Sequence, residues 1–332
     1  MKIAIIGDIY IDKQVMLDAF LGKELKGAEI VAVQWEVASQ GELQQINLAT
    51  EQGGSEVYEV PDAVIDAVRD AECLVTQFCP INKKVIDSCP NLKVIGTVRA
   101  GMENINTEYA REKGIRVVNN AGRNANAVAD FTVGMMLSEC RNIAKAHASI
   151  VHGGWQREFA NSNMVPDLAG KTIGVIGVGQ IGSKVARRLK AFDAHVICYD
   201  PYCCDTNTEF EFVDLDTLLR TADFITIHMR LTESTEHMIG RAELAKLKPT
   251  AYVVNTARSG LIDEAALVEA LQQKKIMGAA LDVFDEEPLT AGNPLLKLDN
   301  VTLTPHMAGV TRDSFWGAPA LLAEKLRPFV EA

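Results

Sequence analysis

Several residue types and runs are scarce in this chain, and each shortage excludes a class of protein. The 332 residues include 7 cysteines, an odd number with no Cys-x-x-Cys pair, so we expect reduced thiols in the cytoplasm and neither a disulfide framework nor a metal site. No Lys/Arg-dense stretch accompanies the net charge of −11, so nucleic-acid binding is not expected. No apolar run approaches the ~18 residues of a membrane-spanning helix, so we expect no membrane attachment.

What the chain does have is an alternation of strand-like and helical segments, which is typical of parallel α/β sheets. Its length exceeds the ~250–300 residues at which one hydrophobic core stops growing, so we predict two doubly wound α/β domains. The strands predicted in the first part are Lys2–Ile6, Glu29–Gln34, Cys73–Gln77, Lys93–Thr97 and Arg116–Asn119. Those predicted in the later part are Thr172–Ile176, His195–Tyr199, Phe224–His228, Ala251–Asn255, Gly278–Val283 and Val301–Thr304.

A Gly-x-Gly-x-x-Gly string follows the first of the later strands and precedes a helical pattern, the context of a dinucleotide-binding turn. In such a turn the first glycine permits a tight bend, the second lets the backbone approach a pyrophosphate, and the third lets helix and strand pack closely. The helix N-terminus then offers free N–H groups to the phosphates. The loop residues predicted to bind the cofactor are Gly177, Gly179, Gln180, Ile181 and Gly182.

Asp200 ends the next predicted strand, close to the distance expected for the carboxylate that accepts a ribose 2′-hydroxyl. A carboxylate there repels a 2′-phosphate, so the sequence predicts NAD rather than NADP as the cofactor. A glycine-rich turn in an ordinary α/β unit is the alternative, and the combination of strand, helix and acid argues against it.

Three later strands are followed by an arginine, a glutamate and a histidine, namely Arg258, Glu287 and His306. Ligands of an open α/β sheet bind beyond the carboxyl ends of its strands, so we expect these side chains in one crevice. A hydride that reaches a carbonyl carbon leaves an alkoxide, which a histidine can protonate near neutral pH. A carboxylate favours the protonated imidazole, and an arginine can bind a substrate carboxylate. Each residue alone fits an ordinary structural role, but together they favour catalysis.

Four segments carry a resemblance to the D-isomer-specific 2-hydroxyacid dehydrogenase family over nearly the whole chain. They are 177–182, 255–258 with 261–264, 280–284 with 287–288, and 303–306 with 308–309. The resemblance implies an NAD-dependent interconversion of a small 2-oxo acid and its D-2-hydroxy acid, in which Arg258 binds substrate, Glu287 tunes His306, and His306 is the acid/base. It also implies that Asp282 contacts the nicotinamide end of NAD. The further cofactor-binding positions that it implies are His228, Thr256, Ala257 and Gly309.

The family resemblance also implies a discontinuous domain plan. A Rossmann NAD-binding domain, 119–309, is expected to be inserted in a flavodoxin-like substrate domain, 1–118 plus 310–332. A helix of over twenty residues within Asn124–His152 resembles the family's dimerisation helix, so a homodimer is expected. A helix that covers one face of the second sheet is equally compatible with its apolar first half.

Two positions depart from the family pattern. Arg230 stands where the family usually has proline, and a 2′-phosphate could use it. Arg99 precedes Ala100 and Gly101, which match the amides that hold the substrate carboxylate in the family. We hypothesise that Arg99 favours a second acidic group on the substrate, such as a phosphate or carboxylate. A salt bridge from Arg99 to Glu103 or to a neighbouring loop is the alternative.

Other functions stay open at this stage. The substrate could be phosphorylated, like D-3-phosphoglycerate, although no C-terminal regulatory domain of the kind found in many phosphoglycerate dehydrogenases is expected after the tail. The chain could instead be a non-catalytic NAD(H)-sensing protein, since the family includes corepressors that retain the same three residues. Formate or phosphite dehydrogenase chemistry shares the fold, but Glu287 counts against it because formate dehydrogenases commonly pair the histidine with glutamine.

Overall fold

The chain forms two compact units. The computed structural model describes residues 1–202 and 209–331, so the adjacent Cys203 and Cys204 lie outside the described residues. One unit comprises Met1–Asn124 together with the C-terminal segment from Thr311, and the other comprises Ala125–Val310. Both are parallel α/β units, as the sequence predicts. None of the helices in the described part has the length and apolar character needed to span a membrane.

The first unit is built on a five-stranded parallel sheet. Its strands lie in the order β2-β1-β3-β4-β5, which is the flavodoxin-like order. Strands β3 and β4 are buried along their whole length, as expected for central strands covered on both faces. The strands are β1 (Lys2–Gly7), β2 (Glu29–Gln34), β3 (Cys73–Thr76), β4 (Val94–Thr97) and β5 (Arg116–Asn119).

Helices from both ends of the sequence cover this sheet. They are α1 (Lys13–Leu21), α2 (Gln40–Gly53), α3 (Asp62–Val68), α4 (Lys83–Ser88), α5 (Thr107–Glu112) and, from the C-terminal segment, α12 (Arg312–Trp316) and α13 (Ala318–Val330). Helix α13 packs closely on β4, because a Cβ atom at Gly96 would lie 3.0 Å from Leu326 and 3.3 Å from Leu322. The Asn120 side-chain amide donates to the Ala318 carbonyl at 2.8 Å and so ties the end of β5 to α13.

The second unit is built on a seven-stranded parallel sheet in the order β12-β11-β10-β9-β6-β7-β8. The order reverses between β6 and β9, as in a Rossmann sheet. The strands are β6 (Thr172–Ile176), β7 (His195–Tyr199), β8 (Glu211–Phe212), β9 (Phe224–Ile227), β10 (Tyr252–Asn255), β11 (Gly278–Leu281) and β12 (Val301–Leu303). The two-residue edge strand β8 is absent from the sequence prediction because a pair of residues carries no periodic pattern.

Two helices of the second unit, α6 (Ala125–Cys140) and α7 (Ile143–Val151), lie in the segment where the sequence predicts a single helix. The α-helices that follow them in this unit are α8 (Gly182–Lys190), α9 (Leu215–Thr221), α10 (Arg241–Leu244) and α11 (Glu264–Gln272). The expected helix of over twenty residues is wrong, since Asn142 adopts a left-handed conformation with φ of 58° between α6 and α7. The Asn142 amide donates to Asn161 Oδ1 at 2.7 Å, and Asn161 in turn donates to the Cys140 carbonyl at 2.8 Å. These buried contacts stabilise the break.

Helix α6 covers one face of the second sheet, which is one of the two interpretations that its apolar pattern allows. Ala129, Val133 and Met136 are buried against strands β6, β9, β10 and β11. The carboxylate of Glu139 pairs with Lys145 at 2.9 Å and accepts from the Thr302 hydroxyl at 2.6 Å. Helix α7 differs, because it has no buried residue.

The packing of α13 on the first sheet can be tested with two neighbouring leucines. Leu322 is fully buried, whereas Leu321 is 39% exposed. We expect Leu322→Ala to lower the free energy of unfolding of the first unit by about 2–5 kcal/mol and Leu321→Ala to change it by less than about 0.5 kcal/mol, both measured by urea denaturation. Equal effects of the two substitutions would contradict the described packing.

Candidate active site

The three strands β10, β11 and β12 end side by side at one edge of the second sheet. Asn255 pairs with Leu281, and Leu281 pairs with Leu303, so the residues that follow these strands begin at the same level. Arg258, Glu287 and His306 lie in the segments that leave this edge. The carboxyl edge of a parallel sheet is where α/β proteins bind their ligands.

His306 and Glu287 form a hydrogen-bonded pair. Nδ1 of His306 lies 2.8 Å from Oε2 of Glu287, and Oε1 of Glu287 accepts from the backbone N–H of Phe284 at 3.0 Å. The His306 side chain is 50% exposed, and no described residue bonds its Nε2. Because the carboxylate engages Nδ1, Nε2 is the nitrogen free to exchange a proton with a bound molecule.

The backbone of His306 is held by Asp282, at the end of β11. His306 adopts a positive φ of 50°, a conformation that needs support from its surroundings. The fully buried Asp282 carboxylate accepts from the Thr304 hydroxyl at 2.6 Å and from the backbone N–H groups of Met307 at 3.0 Å and Ala308 at 2.8 Å. Sequence reasoning missed this supporting role and the part of Thr304 in it. The contact of Asp282 with NAD stays a prediction.

Arg258 is an exposed cation on a turn that Asn255 fixes. The side chain of Asn255 accepts from the N–H of Ala257 at 3.0 Å and donates to the carbonyl of Arg258 at 2.9 Å. Within the described part of the chain, the guanidinium of Arg258 bonds to the Ala257 carbonyl at 2.7 Å and makes no ion pair with a carboxylate. An exposed arginine without a carboxylate partner, at the same edge of the sheet as the histidine–glutamate pair, suits the binding of an anionic ligand.

The buried hydroxyl of Thr256 lies 2.7 Å from that of Thr132 on helix α6. This contact joins the end of β10 to the helix that covers the sheet. No sequence pattern could have indicated the supporting role of Thr132, because the two threonines are 124 positions apart.

A cavity of about 520 Å³ lies beside the histidine–glutamate pair. Glu287, Thr304 and His306 contribute its polar atoms. The remaining lining is apolar and consists of Phe284, Pro288, Leu289, Leu296, Leu303 and Pro305. The pair is therefore flanked by an apolar wall on the side of this cavity.

The glycine loop after β6 has the close contacts that its sequence requires. Gly177 has φ of +86°, and a Cβ there would lie 2.7 Å from Met229 and 2.8 Å from the carbonyl oxygen of His228. A Cβ at Gly182 would collide with the carbonyl of Gly177, whereas a Cβ at Gly179 would meet nothing within 4 Å. The backbone is thus tightly packed on one side and open at Gly179, where a phosphate needs access.

The amides that follow Gly179 are available for a ligand. Gln180 and Ile181 donate no backbone hydrogen bond to any described residue, and they precede the N-terminus of α8. The carboxylate of Asp200 accepts from the N–H of Val178 at 2.8 Å, so it lies against the loop. These residues fit a dinucleotide, with free N–H groups for its pyrophosphate and a carboxylate for its ribose.

His228 is half-buried and packs against this loop, with its Nδ1 atom shielded from solvent. Burial lowers the pKa of His228 from 6.5 to about 3. Its Nε2 lies 2.9 Å from the hydroxyl of Thr226, and its Nδ1 is buried without a partner among the described residues. An unpaired polar atom at this position is consistent with the cofactor-lining role expected for His228. Arg230, two positions further on, is exposed.

The candidate substrate-binding residues of the first unit follow β4. The guanidinium of Arg99 lies 3.8 Å from Glu103, so the salt bridge that the sequence left as an alternative is present, and it also lies 2.7 Å from Glu51. The carbonyl of Ala100 accepts from the Asn119 side chain at 2.5 Å, and the Glu103 carboxylate packs against the α-carbon of Gly101. The partner Glu51 was missed because it lies 48 positions away, on α2.

The neutrality of His228 can be tested by its titration. In the folded protein we expect no titration of His228 by NMR between pH 5 and 9. The pKa of His228 is lower in the folded protein than in the unfolded chain, so below pH 6.5 unfolding is accompanied by uptake of a proton at this residue. The stabilising contribution of His228 is therefore present above pH 6.5 and is lost as the pH falls from about 6.5 to 3. The NMR signal that disappears in His228→Gln is the signal of this ring. In the same variant the free energy of unfolding should change less between pH 6.5 and 3 than it does in the wild type. A midpoint near pH 6.5 in the folded protein would show that the ring is not buried as described.

Comparison with known proteins identifies a family for this chain. The family described as "D-isomer specific 2-hydroxyacid dehydrogenase, NAD binding domain" matches residues 133–308. D-3-phosphoglycerate dehydrogenase of Methanocaldococcus jannaschii is 44% identical over 80% of this chain, which spans about half (51%) of that relative. Hydroxypyruvate reductase of Thermotoga maritima is 40% identical over 80% of this chain and 87% of the relative.

A solved structure of similar fold was determined in complex with NAD. The NAD-complexed D-isomer specific 2-hydroxyacid dehydrogenase of Lactobacillus delbrueckii ssp. bulgaricus superposes with a TM-score of 0.75 at 26% identity, covering 98% of this chain and 96% of the other. The cofactor predicted from Gly177–Gly182 and Asp200 is therefore confirmed as NAD. The chain belongs to the D-isomer specific 2-hydroxyacid dehydrogenase family, and its second unit carries the NAD-binding domain of that family.

Proposed function

We propose that the protein is an NAD-dependent dehydrogenase that interconverts a small 2-oxo acid and its D-2-hydroxy acid. The observation that carries the proposal is the 2.8 Å contact between His306 and Glu287, on an NAD-binding domain and with Nε2 free. Relatives named hydroxypyruvate reductase and glyoxylate reductase support the substrate class.

The acid/base step belongs to His306. When bound, NADH supplies the hydride that reduces the carbonyl carbon. His306 gives the proton from Nε2 to the oxygen that becomes the hydroxyl, and in the reverse direction Nε2 removes it. Glu287 holds Nδ1, so it fixes the ring orientation and offsets the positive charge of the protonated ring.

Arg258 binds the carboxylate of the substrate in this proposal. Its guanidinium has no carboxylate partner among the described residues, and a planar fork of donors matches a carboxylate. The N–H groups of Ala100 and Gly101 also donate to the substrate carboxylate, which makes the first unit the substrate domain. Its boundaries, at 124/125 and 310/311, differ from the predicted ones by six residues and one residue, respectively.

The remaining predicted residues bind the cofactor. Gly177–Gly182 receives the pyrophosphate and Asp200 the ribose. Asp282 keeps acceptor capacity for the nicotinamide end, since a carboxylate can accept about four hydrogen bonds and three are described. The other lining residues in the proposal are His228, Thr256, Ala257 and Gly309.

The role of His306 is tested by substitution. We expect His306→Ala to lower kcat by about 10²–10⁴-fold, because the alkoxide loses its general acid. The Kd for NADH, measured by fluorescence, should not change. His195→Ala, at an exposed histidine of β7, is the matched control and should leave kcat unchanged. Near-normal turnover of His306→Ala would refute the assignment.

A substrate panel separates the enzyme from the NAD(H)-sensing protein that the family also includes. Oxidation of NADH is measured with glyoxylate, hydroxypyruvate, pyruvate and a phosphorylated 2-oxo acid. Turnover of one of them supports the dehydrogenase, whereas binding of NADH with no turnover of any supports the sensor. A phosphorylated substrate receives less support from Arg99 than the sequence suggested, because Glu51 and Glu103 already neutralise that side chain.

We also propose a homodimer that forms through helix α7. Ile143, Ile150 and Val151 of this helix are 56%, 56% and 65% exposed, and Trp155 just beyond it is 79% exposed. Large apolar side chains grouped in this way are typical of an interaction surface. The cytoplasm is the proposed location, supported by four buried thiols of the described residues that form no disulfide, namely Cys73, Cys79, Cys89 and Cys140.

The dimer is tested by light scattering coupled to size exclusion. We expect the wild type to elute as a dimer and the double variant Ile143→Asp/Ile150→Asp as a monomer, because two carboxylates cannot be buried in an apolar contact without partners. Val57→Asp, at an apolar residue of the first unit that is 51% exposed, is the control and should stay dimeric. A monomeric wild type would overturn the proposal.

A further inference from the structure

Helix α2 holds the side chain of Arg99 by two short hydrogen bonds. Nη1 of Arg99 donates to Oδ1 of Asn47 at 2.7 Å, and Nη2 donates to Oε1 of Glu51 at 2.7 Å. Asn47 and Glu51 are four positions apart and therefore present their polar groups on one face of the helix. The Arg99 side chain is only 12% exposed, so these are not the loose contacts of a surface arginine.

The other contacts of the Arg99 side chain fix its plane. The guanidinium lies over the ring of Phe78, 4.9 Å from the ring centre, and Glu103 lies 3.8 Å from Nη2. Two directed hydrogen bonds, a ring contact and a second carboxylate leave the guanidinium little freedom to turn toward another anion.

The backbone around Arg99 is joined to the loop that the proposed function assigns to the substrate. The N–H of Arg99 donates to the hydroxyl of Thr97 at 3.2 Å, and its carbonyl accepts from the N–H of Asn120 at 2.7 Å. The next carbonyl, that of Ala100, accepts from the side chain of Asn119. A shift of Arg99 is therefore transmitted directly to the N–H groups of Ala100 and Gly101.

Helix α2 depends on polar contacts because it buries little apolar surface. Of its 14 residues only Leu43 and Thr50 are buried, and Leu48 is 55% exposed. The side chain of Gln44 on this helix donates to the hydroxyl of Tyr10 at 3.1 Å. Arg99 therefore supplies the only charged link from α2 to the carboxyl edge of the first sheet within the described residues.

We propose that Arg99 is a positioning residue: it connects helix α2 to the Ala100–Gly101 loop and so presets the orientation of the loop amides for the carboxylate of the substrate. This inference rests on the proposed function and deepens it. Arg99 acts through Asn47 and Glu51 and does not itself bind a second acidic group. Presetting of this kind strengthens binding because the loop loses less freedom when the substrate arrives.

The test removes Arg99 and its two partners on α2 in separate variants. We expect Arg99→Ala to raise the KM for the best 2-oxo acid of the panel by about tenfold or more, in the range for loss of a hydrogen bond to a charged group, with kcat less affected. The double variant Asn47→Ala/Glu51→Ala keeps Arg99 and should produce the same rise. The triple variant should be no worse than either, because all three residues act as one unit.

The same variants distinguish positioning from direct contact. If Arg99 bound a second acidic group, Asn47→Ala/Glu51→Ala would free its charge and lower the KM for 2-oxo dicarboxylic acids, and Arg99→Ala would raise only the KM for those acids. Either result overturns the inference. Positioning predicts equal rises for monocarboxylic and dicarboxylic substrates, with the Kd for NADH unchanged.

A control variant distinguishes the loss of positioning by Arg99 from a general loss of stability of the first unit. Arg69→Ala removes an exposed pair with Asp66 in the same unit, and its KM should equal that of the wild type. The melting temperature of every variant is measured, and Arg99→Lys should restore part of the KM because it keeps the charge. An unchanged KM in both Arg99→Ala and the double variant refutes the positioning role of Arg99. Absence of turnover in the wild type itself would instead refute the proposed function.

Discussion

The arrangement of the histidine–glutamate pair depends on the buried carboxylate of Asp282. A charged group that is removed from water needs hydrogen-bond donors, and this one has a hydroxyl and two backbone N–H groups, all from the segment 304–308. The same three bonds hold that segment in the conformation in which His306 has a positive φ. The hydrogen bonds that stabilise the buried Asp282 carboxylate are thus the same bonds that determine where the His306 side chain lies.

The neighbouring strand extends this constraint to Arg258. The N–H of Asp282 donates to the carbonyl of Asn255 at 3.0 Å, and the side chain of Asn255 fixes the turn that carries Arg258. The segments that carry the arginine and the histidine are therefore held by the side chains of Asn255 and Asp282, which follow one another across the ends of adjacent strands. Sites supported in this way tolerate little movement, which suits a reaction that needs a fixed geometry.

Much of this could be predicted from the sequence because the signals are local. The strand, the three glycines and Asp200 fall within one βαβ segment, and parallel strands necessarily bring Arg258, Glu287 and His306 to a common edge. The break at Asn142 was not predictable, because it depends on Asn161, nineteen positions away and outside the helical pattern. The partner of Arg99 on α2 was equally invisible, since no periodicity links residues 51 and 99.

The C-terminal helix gives the first unit a dependence on the rest of the chain. One face of the first sheet, with Ile3, Ile5 and Val75, is buried partly by Leu322, Leu326 and Val330 of α13. All residues of the second unit are synthesised between these two parts. During translation the second unit can complete its core while that face of the first sheet is still uncovered. That face of the first sheet can therefore be covered by α13 only after the whole second unit has been synthesised, and an apolar face left uncovered during synthesis is open to aggregation.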